Sequence, residues 1–160
     1  MESYRLRRLV IPISFTAVGV ASLATPGTMP LPPPALYAVR ILGAILFVLS
    51  GVGCYRIHRT YPKRHDRPSD FPRLMTEGPY AICRHPLYGL LMVNQLSIAL
   101  TLASLWGLTA FVASIPLWLA LIRVEERELI EYWGEQYIEY ARRVPALIPI
   151  RIRRGASRGG

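Results

Sequence analysis

Three apolar stretches alternate with polar ones along the chain, and the first two are each about as long as a bilayer-crossing helix requires. The first, 9–25, follows a basic start, YRLRR, and contains the small residues Ala21, Ser22 and Ala24. The second, 36–54, is interrupted only by Arg40. A longer apolar region, 87–122, follows, uncharged throughout. As one helix it would extend about 54 Å, far beyond a hydrocarbon core of ~30 Å. Two helices, 87–103 and 107–122, fit instead. The fold-back is expected near ASLWG, where Gly107 frees the backbone and Trp106 suits the interface.

The connections support this division. PGTMPLPPP, residues 26–34, is uncharged and too rich in proline to continue a helix. A basic loop, 55–77, carries prolines 62, 68 and 72. After the hairpin comes VEERELIEYWGEQYIEYARRV, in which Leu129, Ile130, Trp133, Tyr137, Ile138 and Ala141 recur at helical spacing. That pattern predicts an amphipathic helix over 124–143 with a break near Gly134. The basic, Gly-rich end RIRRGASRGG is expected to fray. The fold class expected is therefore all-α: a single integral membrane domain, 1–160. It has about four transmembrane helices, the last two a tight hairpin, and an amphipathic cytosolic C-terminal helix.

Composition agrees. The chain is 52% hydrophobic and 18% charged, against roughly 25% charge in soluble domains. A net charge of +9 suits nucleic acid or a lipid surface. Here the basic residues flank apolar runs, so membrane lipids are the expected partner and nucleic acid is not. In the four-span arrangement all but Arg40 of the 19 lysines and arginines lie on one side, with all 10 acids. Basic loops stay cytoplasmic. Both termini and the basic loop are therefore expected inside, in a bacterial inner membrane. The first stretch also has the features of a signal peptide, but its removal would leave three spans and spoil this partition. Two cysteines, Cys54 and Cys83, show no metal-ligand spacing and no disulfide framework.

The polar chemistry gathers at two places. One is GPYAICRHPLYG, 78–89, just before the hairpin; the other is RVEE, 123–126, just after it. A hairpin returns to the side on which it starts, so the two must meet at one membrane face. Each residue has a plain reading. Arg84 anchors the loop inside, Tyr80 and Tyr88 sit in an aromatic belt, Pro86 opens a helix, and Glu125 and Glu126 form a solvated first turn. Together they make a site with apolar walls toward lipid and polar groups toward water.

GPY-x3-RHP-x-Y-x-G, followed by an apolar hairpin and EE-x2-L-x3-WG-x2-Y-x2-Y-x3-VP-x2-IP, resembles the isoprenylcysteine carboxyl methyltransferase and phospholipid methyltransferase family. The resemblance covers roughly Leu74–Pro149. It implies S-adenosyl-L-methionine as cofactor and methyl transfer to a lipophilic small molecule or lipid, with a carboxylate, thiol or amine as acceptor. Carried over by position, Leu74, Met75, Tyr80, His85, Pro86, Leu87, Tyr88 and Glu125 would contact the cofactor. Arg84 and Arg123 would orient an anionic group. Glu126, or else His85, would accept a proton from an amine. One departure is visible: members that methylate prenylated cysteine carry an arginine where this chain has Leu121, and Arg123 lies nearby instead. Two other readings compete. A membrane reductase would need a nicotinamide cofactor, and no GxGxxG occurs. A non-enzymatic adaptor would leave GPYAICRHPLYG without a role.

Overall fold

A computed structural model describes residues 2–24, 28–60 and 72–147. Prolines 26, 62 and 68, most of the basic loop, and the C-terminal RIRRGASRGG lie outside the described residues. The described residues form six helices: α1 (Glu2–Ala24), α2 (Pro33–Thr60), α3 (Pro79–Ile82), α4 (Pro86–Thr101), α5 (Leu105–Trp133) and α6 (Glu135–Arg143). Apart from one isolated bridge between Thr28 and Ser104, they contain no strand pairing.

Three of these helices, α1, α2 and α5, are long and apolar enough to cross a membrane. The fourth apolar helix, α4, has 16 residues and is central, packing on α2, α5 and α1. The face of α1 turned inward carries Ser14, Val18 and Ser22, one per turn. Small residues let helices approach closely where lipid offers no hydrophobic drive. On α5 the closest approach is at Gly107, where a Cβ would stand 2.0 Å from Ser22 Oγ. Tyr37, Ile41, Val48 and Leu49 of α2 are exposed, as lipid-facing positions are.

Several expected boundaries are corrected. The first helix starts at Glu2 rather than at residue 9, because the arginines and leucine of YRLRR are good helix formers. The second runs on to Thr60. The hairpin turns at Leu102–Ser104, and Ala103, not Gly107, takes the left-handed conformation, with φ of 51°. Ser104 caps α5 by accepting from Gly107 N at 3.1 Å, so Gly107 already lies in the first helical turn. The largest correction concerns 107–122 and 124–143, expected as separate helices. They are joined in α5, because no breaker lies between Arg123 and Trp133 and charge alone does not end a helix. The break falls at Gly134, φ 55°, as the sequence indicated.

Three backbone hydrogen bonds close the ends of the bundle. Met29 N donates to Ala103 O at 2.7 Å, tying the α1–α2 connection to the hairpin turn. At the opposite end Arg84 N donates to Pro145 O at 2.8 Å and His85 N to Ala146 O at 2.9 Å. The segment after α6 thus runs along the RHP stretch.

Candidate active site

The stretch GPYAICRHPLYG is bent three times by its own residues. Gly78, at φ 60°, opens the single turn α3. Cys83 is extended, and Pro86 then starts α4 with the buried His85 before it. This places Arg84, His85 and Tyr88 against the part of α5 that carries Glu125 and Glu126.

The two glutamates are held by different partners. Glu126 Oε1 accepts from Arg84 Nε at 2.8 Å and Nη2 at 2.5 Å. His85 Nε2 lies 3.3 Å from the same oxygen, and Tyr137 OH donates to it at 3.4 Å. Arg84 also donates through Nη1 to Ala141 O at 2.9 Å and Val144 O at 2.6 Å. One guanidinium therefore joins the RHP stretch, α5 and the end of α6. Glu125 turns the other way. Its Oε2 accepts from Tyr88 OH at 2.5 Å, and its Oε1 from Arg7 Nη2 of α1 at 3.3 Å. Arg7 also lies 5.8 Å from the centre of the Tyr88 ring. His85 stacks on Tyr88 with ring centres 5.7 Å apart, and Tyr88 packs on the fully buried Trp118.

Beside this network is a cavity of about 600 Å³, within the range of small-molecule and cofactor sites. Leu74, Met75, Tyr80, Arg84, His85, Pro86, Leu87, Tyr88 and Glu125 all line it. Glu126 is not among its lining residues but is engaged behind it by Arg84, and Arg123 is exposed and also outside it. Leu121 is fully buried in the core. Sequence reasoning did not single out the contributions of α1 and α2: Arg7 and Ile11 from the first, Cys54, Tyr55 and His58 from the second. Arg7 has no local signal, since its place in a basic start reads equally as a membrane anchor. Tyr137 and Tyr140 complete the wall. Tyr140 OH donates to Tyr80 O at 2.6 Å, and burial pushes its pKa up to about 12. Burial, reinforced by the charge of Glu126, also raises the pKa of Tyr137. Both hydroxyls are thus donors at neutral pH. Among the described residues no cluster of histidine, cysteine or carboxylate side chains could hold a metal.

A family model described as phospholipid methyltransferase matches residues 38–136. The cobalt-zinc-cadmium resistance protein CzcN of Cupriavidus metallidurans is 40% identical over 90 residues, 52% of this chain and 39% of that protein. Protein-S-isoprenylcysteine O-methyltransferase B of Arabidopsis thaliana is 34% identical over 84 residues, 52% and 43% of the two chains. Methanethiol S-methyltransferase 1 of Bradyrhizobium diazoefficiens is 30% identical over 106 residues, 66% and 36%. The chain thus spans between 36% and 43% of the length of these relatives. With the family model matching more than half of its residues, the chain belongs to the phospholipid methyltransferase family.

Proposed function

We propose that this chain binds S-adenosyl-L-methionine in the cavity beside α4 and α5, and catalyses methyl transfer to a lipophilic acceptor drawn from the membrane. The observation that carries this reading is the composition of one cavity wall. It joins the RHP stretch to Glu125 at the end of an apolar bundle. The residues fit the cofactor. Tyr80 and Tyr137 place aromatic rings on the wall against which a cation can lie, while Tyr88, its ring already taken by His85 and Arg7, helps hold Glu125, which offers a carboxylate to an ammonium or to hydroxyls. Arg73, at the cavity edge and largely exposed, complements a carboxylate.

The bound cofactor supplies a methyl group on a sulfonium that is its own leaving group. The chain's contribution is to position the partners and keep water out. Ile11, Leu87 and Leu91 form the apolar side on which an acceptor can lie. Glu126, whose one oxygen accepts from Arg84 and Tyr137, is held as a carboxylate and serves the framework. His85, stacked and buried beside it, is the better-placed base should the acceptor be an amine. Arg84 orders this wall, and Arg123 faces the headgroup region. The active site and both termini lie on the cytoplasmic side, and the α1–α2 connection on the other.

Calorimetry of the purified protein with S-adenosylhomocysteine and with NADPH tests the reading. The first should bind and the second should not. Glu125→Gln and His85→Ala should each weaken the first without unfolding the protein, and normal binding by both variants would refute the site. Orientation is checked by a cysteine at Thr28, which should react with an impermeant reagent applied from the non-cytoplasmic side.

A further inference from the structure

Arg7 has no part in the reaction as described so far, yet it stands inside the cavity. Its side chain is 25% exposed, with the guanidinium beside the Tyr88 ring and Nη2 3.3 Å from Glu125 Oε1. One turn further along α1, Ile11 lies on the same wall, continued by Leu87 and Leu91. Arg7 therefore marks the level at which the cavity changes from apolar to polar.

We propose that Arg7 recognises an anionic headgroup, a carboxylate or a phosphate, on the methyl acceptor, whose apolar body lies along Ile11, Leu87 and Leu91. The inference rests on the methyltransferase reading and names its acceptor class. Three observations support it. A guanidinium is a planar fork of five donors, shaped for such anions. The tyrosine face and Glu125 hold this one in place before any ligand arrives, so little side-chain freedom remains to be lost. Its bond to Glu125 is longer than the roughly 2.7–2.9 Å of a tight charge-assisted pair, so it can be exchanged for a ligand oxygen. The acceptor is favoured over the cofactor as the source of the anion for two reasons. Arg7 lies outside residues 38–136, the part shared with the family. The relatives named for different acceptors also indicate that the acceptor end is what varies.

The test uses the full chain in uncharged detergent, with dodecyl phosphate, dodecanoate and dodecanol as probes and S-adenosylhomocysteine as the cofactor probe. Arg7→Gln should bind both anions at least about tenfold more weakly, a loss of the size expected for one charge-assisted contact. Dodecanol should bind it as it binds wild type, and S-adenosylhomocysteine, whose contact Glu125 loses one partner, should weaken by less than the anions do. Unchanged anion affinity, or an equal loss for dodecanol, overturns the proposal. A loss confined to S-adenosylhomocysteine also overturns it and assigns Arg7 to the cofactor's carboxylate. Wild type that binds the anions but not S-adenosylhomocysteine refutes the methyltransferase reading separately. A second measurement needs no variant: phenylglyoxal modification of Arg7, followed by mass spectrometry, should be slowed by dodecyl phosphate and not by dodecanol. Equal rates with both would refute the anion site.

Discussion

Arg84 and Glu126, 42 residues apart, are joined by two hydrogen bonds to one carboxylate oxygen, at 2.8 and 2.5 Å. With the two backbone carbonyls that Arg84 also reaches, this pair fastens three separate chain segments. Removing one partner leaves the other charge poorly compensated, a loss typically larger than the pair's own net contribution. Arg84→Met should therefore lower unfolding stability by about 2–4 kcal/mol. Arg84→Lys should recover less than half of it, since an ammonium cannot reproduce the fork. Thermal melts in detergent decide this. A loss under about 0.5 kcal/mol, the range of ordinary surface changes, would contradict it.

Gly43 and Gly51 lie on the same helix and should respond oppositely. A Cβ at Gly43 would meet the Thr101 backbone nitrogen at 2.4 Å and the Leu100 carbonyl carbon at 2.9 Å, whereas at Gly51 nothing lies within 4 Å. Gly43→Ala should cost about 1–3 kcal/mol by prising α2 from α4. Gly51→Ala should be neutral or stabilising by up to about 1 kcal/mol, through helix propensity. The same melts measure both.

The buried pair Gln95 and Trp118 gives a double-mutant test. The indole Nε1 donates to Gln95 Oε1 at 3.0 Å, and both residues are fully buried. Gln95→Leu should cost about 1–2 kcal/mol by orphaning the indole N–H, and Trp118→Phe about as much by leaving Gln95 Oε1 only the 3.5 Å bond from Ser114 Oγ. The double variant should cost less than the sum, and strict additivity would show that the bond contributes nothing.

Alkaline titration should report on Tyr140. Its pKa, pushed up to about 12 in the fold by burial, is about 10 in an unfolded chain. A phenol that holds its proton more tightly when folded stabilises the fold fully below about pH 10, and this contribution disappears as pH approaches 12. Tyr140→Phe cannot ionise. The stability advantage of wild type over this variant should be constant from about pH 7 to 9.5 and shrink above pH 10. A constant difference up to about pH 11.5 would refute the assignment.

Much of the arrangement is legible in the sequence because hairpin topology is a strong constraint. An uncharged stretch too long for one crossing must fold back, and folding back brings RHP to RVEE whatever the details of packing. The exact turn was not legible: ASLWG offers Gly107 as the obvious breaker, but the serine cap at Ser104 absorbs it into α5 and leaves Ala103 with the positive φ. The continuity of α5 was missed for a related reason. A change from apolar to charged side chains marks a change of surroundings, and the backbone is indifferent to it. Arg7 could not be found at all, because a contact between residues 7 and 125 depends on how α1 lies against α5, and no periodicity encodes that.

The unbroken course of α5 has a mechanical consequence. Ser104, tied into the turn at one end of the bundle, and Glu125, on the cavity wall, are separated by one continuous helix that passes through Pro116 and rises about 30 Å. The height of the candidate site is therefore set by the number of residues in that helix. A bilayer thicker or thinner than that helix shifts the depth at which the cavity meets the acyl chains. Turnover should then depend on lipid chain length, and insertion of one helical turn before Glu125 should move the optimum toward longer chains.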